Sequence, residues 1–309
     1  MEVLSFADYE VTVPRPTRMD YGIVLGCPRS GTTYLMRLLN TLPQAECLIG
    51  TVISTSIPQI ARQDLSPELY NALAVSFERS LDSYLHSAQF NSRASALQKW
   101  FNAPNGIGNL IGAARGNRTV NRFIFKEPFL AFAPDLVDHA VPDAKVIYIY
   151  RDGRDVANSL LRTYDVLSDN RLQNLFGSEM RLGRKVDHRY VPWWVEEGEE
   201  DLFLSSVPYV RAIWMWKHMV NYCNAFYDQP HIKESGKVMM LKYEDLMRQP
   251  REYGMAILDH LDEVPSPGYY KMLKKAHAKS IGKHKKRDKA EIAAAERIAG
   301  KELSAYGYL

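Results

Sequence analysis

No stretch of the sequence approaches the ~20 consecutive apolar residues that a membrane-crossing helix requires. Glu2, Asp8, Glu10, Arg15, Arg18 and Asp20 leave no room for the apolar core of a secretory signal. A soluble, cytoplasmic protein with no membrane partner is therefore expected. Cysteine is scarce: Cys27, Cys47 and Cys223 have neither the even count of a disulfide framework nor the spacing of a zinc site, so reduced thiols are expected. No cluster of acidic residues suggests a bound metal, and the sequence has no internal repeat or low-complexity tract. The excess of positive charge is also small. A formal charge of +3 and a pI near 8.6 do not by themselves imply nucleic acid. What is present, 309 residues of which 46% are hydrophobic and 24% charged, suffices for one large globular domain or two small ones.

Residues 21–40, YGIVLGCPRSGTTYLMRLLN, carry the first chemical signal. Ile23, Val24 and Leu25 form an apolar run of the length of one buried strand, broken at Gly26 and Pro28. From Thr32 onward Leu35, Leu38, Leu39 and Leu42 recur at helical spacing. A tight loop between a strand and a helix aims backbone N–H groups and the positive helix end at one point, which makes an anion site. Residues 26–33 fit the P-loop pattern GxxxxGK[ST] except that Thr32 replaces the lysine that reaches a nucleotide triphosphate. The positive charge sits instead at Arg29. Any strand, Gly-rich turn and helix could present this pattern, so the loop alone does not decide the function.

Further strands are expected at residues 45–49, 122–126, 144–150 and 238–241, with the run AKVIYIY the clearest of them. Its unbroken apolar character suggests burial on both faces of a parallel sheet. Ser66 and Pro67 open a helix running to about residue 89, with Leu69, Leu73, Phe77, Leu81 and Leu85 as its buried stripe. Residues 102–118, rich in Gly and Asn, read as a mobile connection. Residues 167–206 lack periodicity and suit a lid or substrate wall, and a long aromatic helix follows over 207–227. Strands alternating with helical stretches predict an α/β fold: an open parallel sheet of the P-loop type flanked by helices, with insertions over the acceptor site. Ligands of such sheets lie beyond the carboxyl ends of the strands, which singles out Arg29, Lys126, Glu127, Arg151 and Tyr243.

The motif RDGRDVANSLL follows the fourth strand directly. Arg151 stands at the strand end, and Ser159 lies about two turns into the next helix. An arginine fork and a directed hydroxyl suit a second phosphate. Two anion sites at one sheet edge imply a ligand with two separated anionic groups.

Taken together and in order, CPRSGTTY (27–34), RDGRDVANS (151–159) and KYEDLMRQP (242–250) resemble the sulfotransferases that use 3′-phosphoadenosine 5′-phosphosulfate (PAPS). IGKHKKRDKAEI from Ile281 and the ending AYGYL resemble the carboxyl-terminal segment of many bacterial members, so the similarity spans about residues 20–309. The resemblance implies a single sulfotransferase domain over 1–309. Within it lie a phosphosulfate loop and helix (20–45), a 3′-phosphate strand and helix (145–163), a lid or substrate region (164–206) and a nucleotide-contacting C-terminal segment (278–309). It assigns the 5′-phosphosulfate to Arg29, Ser30, Gly31, Thr32 and Thr33, and adenine stacking to Tyr34. The 3′-phosphate falls to Arg151 and Ser159, with Gly282 and Lys283 added, and Tyr243 is placed near the adenosine and sulfate end. PAPS is the implied co-substrate and 3′-phosphoadenosine 5′-phosphate (PAP) the product, with no metal and no nucleic-acid partner. The acceptor would be a small molecule of secondary metabolism, sulfated on a hydroxyl, amine or amide. An ATP-dependent P-loop kinase and an inactive PAPS-binding module stand as alternatives.

The resemblance also assigns catalytic roles. Arg29 would serve the bridging oxygen, where many relatives use lysine, and Lys126 matches a family lysine at the sulfuryl oxygens. Neither base familiar from the family is present: Pro128 stands where cytosolic relatives have histidine, and the glutamate of tyrosylprotein members falls near Gly50. Glu127 is the nearest titratable group, with His86, Asp165 and His188 as rivals. Ideal strand alternation would turn Glu127 away from Lys126, an objection that weakens at a strand end before proline.

Overall fold

The computed structural model describes residues 19–50, 53–87, 90, 92–103, 107–116, 120–164, 167–176 and 183–309. In chain order these form β1 (Asp20–Leu25), α1 (Thr32–Leu39), β2 (Ala45–Ile49), α2 (Ile53–Ala61), α3 (Pro67–His86), α4 (Arg93–Asn102), α5 (Ile107–Ala114) and β3 (Arg122–Lys126). A 3₁₀ turn, Pro128–Phe132, leads to α6 (Pro134–Ala140), β4 (Lys145–Tyr150), α7 (Gly153–Tyr164) and α8 (Asp169–Phe176). Then come β5 (Arg184–Val186), β6 (Arg189–Val191), α9 (Glu200–Ser205), α10 (Pro208–Tyr227), α11 (Pro230–Glu234) and β7 (Val238–Lys242). α12 (Tyr243–Arg248), α13 (Pro250–His260), α14 (Pro267–Leu273) and α15 (Lys289–Ala305) complete the chain.

Five strands pair in the order β2-β3-β1-β4-β7, and every pairing is parallel. The predicted open α/β sheet is thus observed. Alternation of side chains across the pleat explains why these strands are apolar at successive positions. Ile23, Leu25, Phe123, Phe125, Val146 and Tyr148 enter one core, shared with α3, α7, α10 and α15. Val24, Ile124, Ile147 and Ile149 enter the other, shared with α1, α12, α13 and α14. Among the described residues no helix is long and apolar enough to cross a membrane.

Two expectations need correction. The 102–118 connection contains α5, a two-turn helix whose Ile107 and Ile111 are exposed; its low hydrophobic contrast hid it from a composition reading. Leu69, expected on the buried stripe of α3, is 60% exposed, while Phe77, Leu81 and Leu85 are buried. A strict four-residue spacing advances about 40° per step beyond a full turn, so the stripe drifts off the core toward the N-terminus. The region read as a lid or substrate wall is tied to the core where it is described. Leu167, Leu172, Tyr190, Val191, Trp194, Val195, Phe203 and Leu204 are all buried in the larger core. Arg211 on α10 fixes this region, donating to the carbonyls of Leu167, Phe203 and Leu204 and to Asp169.

Candidate active site

The carboxyl ends of β1, β3 and β4 open on one mouth, and the loop after β1 forms its floor. Gly26 has no room for a Cβ, which would lie 2.2 Å from the Ile149 carbonyl oxygen of the neighbouring strand. Gly31 caps α1 in the left-handed region at φ 104°, and a Cβ there would meet the Tyr243 ring at 2.4 Å. No side chain caps α1, and its first turn carries no acidic residue. Its leading N–H groups therefore keep their positive end free for an anion. The loop's Ser30 is fully buried, and its hydroxyl oxygen has no hydrogen-bond partner among the described residues. An orphaned buried hydroxyl beside an uncapped helix end fits a bound phosphosulfate group. Thr32 is buried with Ser30, whereas Thr33 faces outward.

A cleft of about 250 Å³ beside the loop is lined by Arg29, Arg151, Asn158, Ser159, Arg162 and Lys283, among others. Arg29, itself at φ 75°, donates from Nε to Ser159 Oγ at 3.1 Å, and its guanidinium lies 5.6 Å from the Tyr164 ring centre. Arg151 is 5% exposed and joins two separate segments. Its Nη1 donates to the Arg29 carbonyl at 3.1 Å and its Nη2 to the Ser280 carbonyl at 2.6 Å. Its Nε is buried without a partner among the described residues, one hydrogen remains on Nη1, and Nη2 also lies 3.6 Å from Asp155 Oδ2. The guanidinium thus spans the cleft and still has donors for a phosphate.

Lys126 and Glu127, at the end of β3, are both buried. Burial pushes the Lys126 ammonium below the ordinary lysine range, opposed by the charge of Glu127 and aided by that of Arg29. Burial likewise raises the Glu127 carboxyl, although the Phe129 amide and Lys126 pull it back. Glu127 Oε1 accepts from Phe129 N at 3.1 Å, capping the 3₁₀ turn. That turn re-aims the chain at Pro128, where ideal alternation ends. Of the rival bases, His86 ends α3, whose last two turns touch the amino-terminal ends of β1 and β2, away from the mouth, through Tyr21 with Asp82 and Glu46 with Tyr84. It cannot serve the mouth. His188 is exposed at the β5–β6 turn, and Asp165 lies outside the described residues.

The remaining predicted residues divide by position. Tyr34 is half-buried on α1 and donates to the Met272 carbonyl at 3.2 Å; burial pushes its hydroxyl up to about 12. Tyr243 lies beneath the loop, 4.6 Å from the Arg151 guanidinium, with its hydroxyl 2.7 Å from Ser280 Oγ. It packs the site rather than opening onto it. Gly282 does not offer its amide to the cleft, because that N–H donates to Asp155 Oδ2 at 2.6 Å. Lys283 does line the cleft.

The ending AYGYL does not reach the cleft. Tyr306 packs on Tyr150 with ring centres 4.4 Å apart, and Tyr308 donates to Glu244 and accepts from Arg154. Segment 278–309 is therefore part clamp and part structural seal. Sequence reasoning missed Asp155, Ser280, His284 and Arg162. Only the i,i+4 spacing of Arg151 and Asp155 offered a readable signal.

The sequence profile described as the sulfotransferase family matches residues 23–209, which include the loop, Lys126, Arg151 and Ser159. No curated protein sequence matches the chain. Among solved structures, a sulfotransferase from Mycobacterium avium is 15% identical with a TM-score of 0.49, covering 98% of this chain and 80% of that one. The sulfotransferase domain from the curacin biosynthetic pathway is 17% identical, with a TM-score of 0.44 over 95% of this chain and 99% of that chain. A sulfotransferase from Alicyclobacillus acidocaldarius is 16% identical, with a TM-score of 0.43 over 94% and 99% of the two chains. These likenesses are distant and the assignment does not lean on them. With more than half of its length matched by the family profile, the chain belongs to the sulfotransferase family.

Proposed function

We propose that the protein transfers the sulfuryl group of PAPS to a hydroxyl, amine or amide of a small-molecule acceptor in secondary metabolism. The observation that carries this reading is the convergence of Arg29, Arg151, Ser159 and Lys283 on one cleft beside an uncapped helix end. Three chain segments supply cations to a mouth whose loop lacks the triphosphate lysine. Residues 29–33 would hold the phosphosulfate, and Arg151, Ser159 and Lys283 the 3′-phosphate. PAPS supplies an activated sulfuryl group. Lys126 and Arg29 then place positive charge where the leaving phosphate gains negative charge. Glu127 takes the acceptor's proton: burial keeps its carboxyl more basic than an exposed glutamate, and only Oε1 is used by Phe129.

Thermal unfolding with added nucleotide tests the reading. PAP without metal is expected to raise the melting temperature, by the mass-action stabilisation of a ligand that binds only the folded state. Equal stabilisation by ATP with magnesium would replace the sulfotransferase donor with a kinase's. Arg29→Ala should abolish release of PAP from PAPS while leaving the melting temperature without nucleotide unchanged. Detectable PAP release by the wild type rules out an inactive binding module.

A further inference from the structure

One residue at the cleft has the wrong sign for an anion site. Asp155, in the first turn of α7, is 2% exposed and lines the same cleft as Arg29, Arg151 and Lys283. A carboxylate there would repel a phosphate, and in a poorly solvated pocket such repulsion is stronger than in water. Its hydrogen bonds explain why it is tolerated. Oδ2 accepts from Gly282 N at 2.6 Å and lies 3.6 Å from Arg151 Nη2. Oδ1 accepts from His284 N at 2.9 Å and from His284 Nδ1 at 3.0 Å. Of the about four lone-pair sites a carboxylate offers, three accept hydrogen bonds here, and the Arg151 guanidinium adds an ion pair. Burial alone would raise the Asp155 carboxyl; the His284 and Gly282 hydrogen bonds and the Arg151 charge outweigh it and hold the group below the ordinary range.

These four contacts all lead to the phosphate-binding parts. Gly282 turns the chain through the left-handed region at φ 73°, and residues 280–284 carry both the Ser280 carbonyl that fixes Arg151 and the Lys283 side chain on the cleft. His284 Nδ1 also lies 3.9 Å from Asp152 Oδ2, just before α7, and beyond the segment Arg287 donates to Asn158 Oδ1 at 3.1 Å. We infer that Asp155 is a positioning residue for the donor: it latches segment 280–284 onto α7 and orients Arg151, and so sets the preference for a nucleotide bearing a 3′-phosphate. The inference rests on the PAPS reading above. Asparagine at this position would turn an amide N–H₂ toward one pair of donors and open the latch, with little change in volume.

Isothermal titration with PAP and with 5′-AMP, which lacks the 3′-phosphate, tests this on the wild type, Asp155→Asn and His284→Ala. The wild type is expected to prefer PAP. Asp155→Asn should weaken PAP binding about ten- to hundredfold, the range for losing a charge-assisted bond, while 5′-AMP changes by less than about threefold. His284→Ala removes one donor pair member and should show a smaller shift of the same kind, which keeps the test open if the Asn variant fails to fold. A merely structural role predicts parallel losses for both nucleotides, and unchanged selectivity in both variants overturns the proposal. Wild-type protein that binds neither nucleotide refutes the PAPS reading itself; selectivity that survives Asp155→Asn refutes the latch alone.

Discussion

Glu127 combines burial with the role in proton transfer proposed for it, and the two make opposite demands. Its carboxyl is raised in the folded protein, so the folded state holds the proton more tightly than the unfolded chain does. Its contribution to stability is therefore most favourable below the ordinary glutamate range and is lost as pH rises through the native value. Glu127→Gln, uncharged throughout, should gain melting temperature relative to wild type between pH 4 and pH 8, while sulfuryl transfer falls about 10²- to 10⁴-fold. A melting-temperature difference independent of pH would show that burial imposes no penalty on this charge. Gly31 is constrained in another way, by its φ of 104° and the Tyr243 ring where a Cβ would sit. Gly31→Ala should cost roughly 1–3 kcal/mol in denaturant unfolding and weaken PAP binding with it, since the same backbone cradles the anion. At this scale the sequence displayed Arg29, Lys126, Arg151 and Ser159 plainly, because each follows a strand or sits in a motif at fixed spacing. The Asp155 latch was legible only at its Arg151 end, four residues away, because Gly282 and His284 lie 127 and 129 residues off and only the fold brings them in.

Elements whose apolar pattern matches a single environment were read within a residue or so. β2 and β3 fall at the expected bounds, and β4 differs by one residue, its apolar run left by burial on both faces. The α3 start was legible for a different reason: Ser66 accepts from Leu69 N, and Pro67 follows at the first helical position. Ser66→Ala should cost about 1 kcal/mol, checked by urea unfolding, and leave PAP affinity untouched, since neither Ser66 nor Leu69 lines the cleft. Elements that mix environments were harder to read. α5 presents Ile107 and Ile111 outward, so no inward stripe marks it. The 167–206 region buries isolated residues between turns and a short hairpin, giving neither period 2 nor period 3.6 to detect.

Over the whole molecule, charge is unevenly spread. Residues 271–289 carry Lys271, Lys274, Lys275, Lys279, Lys283, Lys285, Lys286, Arg287 and Lys289 against Asp288 alone, although the chain's formal charge is only +3. The rest of the protein is therefore net acidic, and the basic strip ends at the cleft through Lys283. A polyanionic donor should be steered along it. Replacing Lys271, Lys274, Lys275 and Lys279 with glutamine should slow PAP association several-fold at low salt and flatten its dependence on ionic strength, with dissociation unchanged in stopped flow. An equal association rate in the two proteins would confine the electrostatics to the cleft. The strand order also matters beyond geometry. β1 at the centre pairs with β3 and β4 about a hundred or more residues further along the chain, and the clamp arrives only with residues 280–284. Such long-range closure makes for slow folding. A ribosome would release the cradle long before the latch exists, so the nucleotide should recognise a chain that has finished assembling; PAP added during refolding should raise the yield of native protein by holding it once formed, with the folding rate itself unchanged.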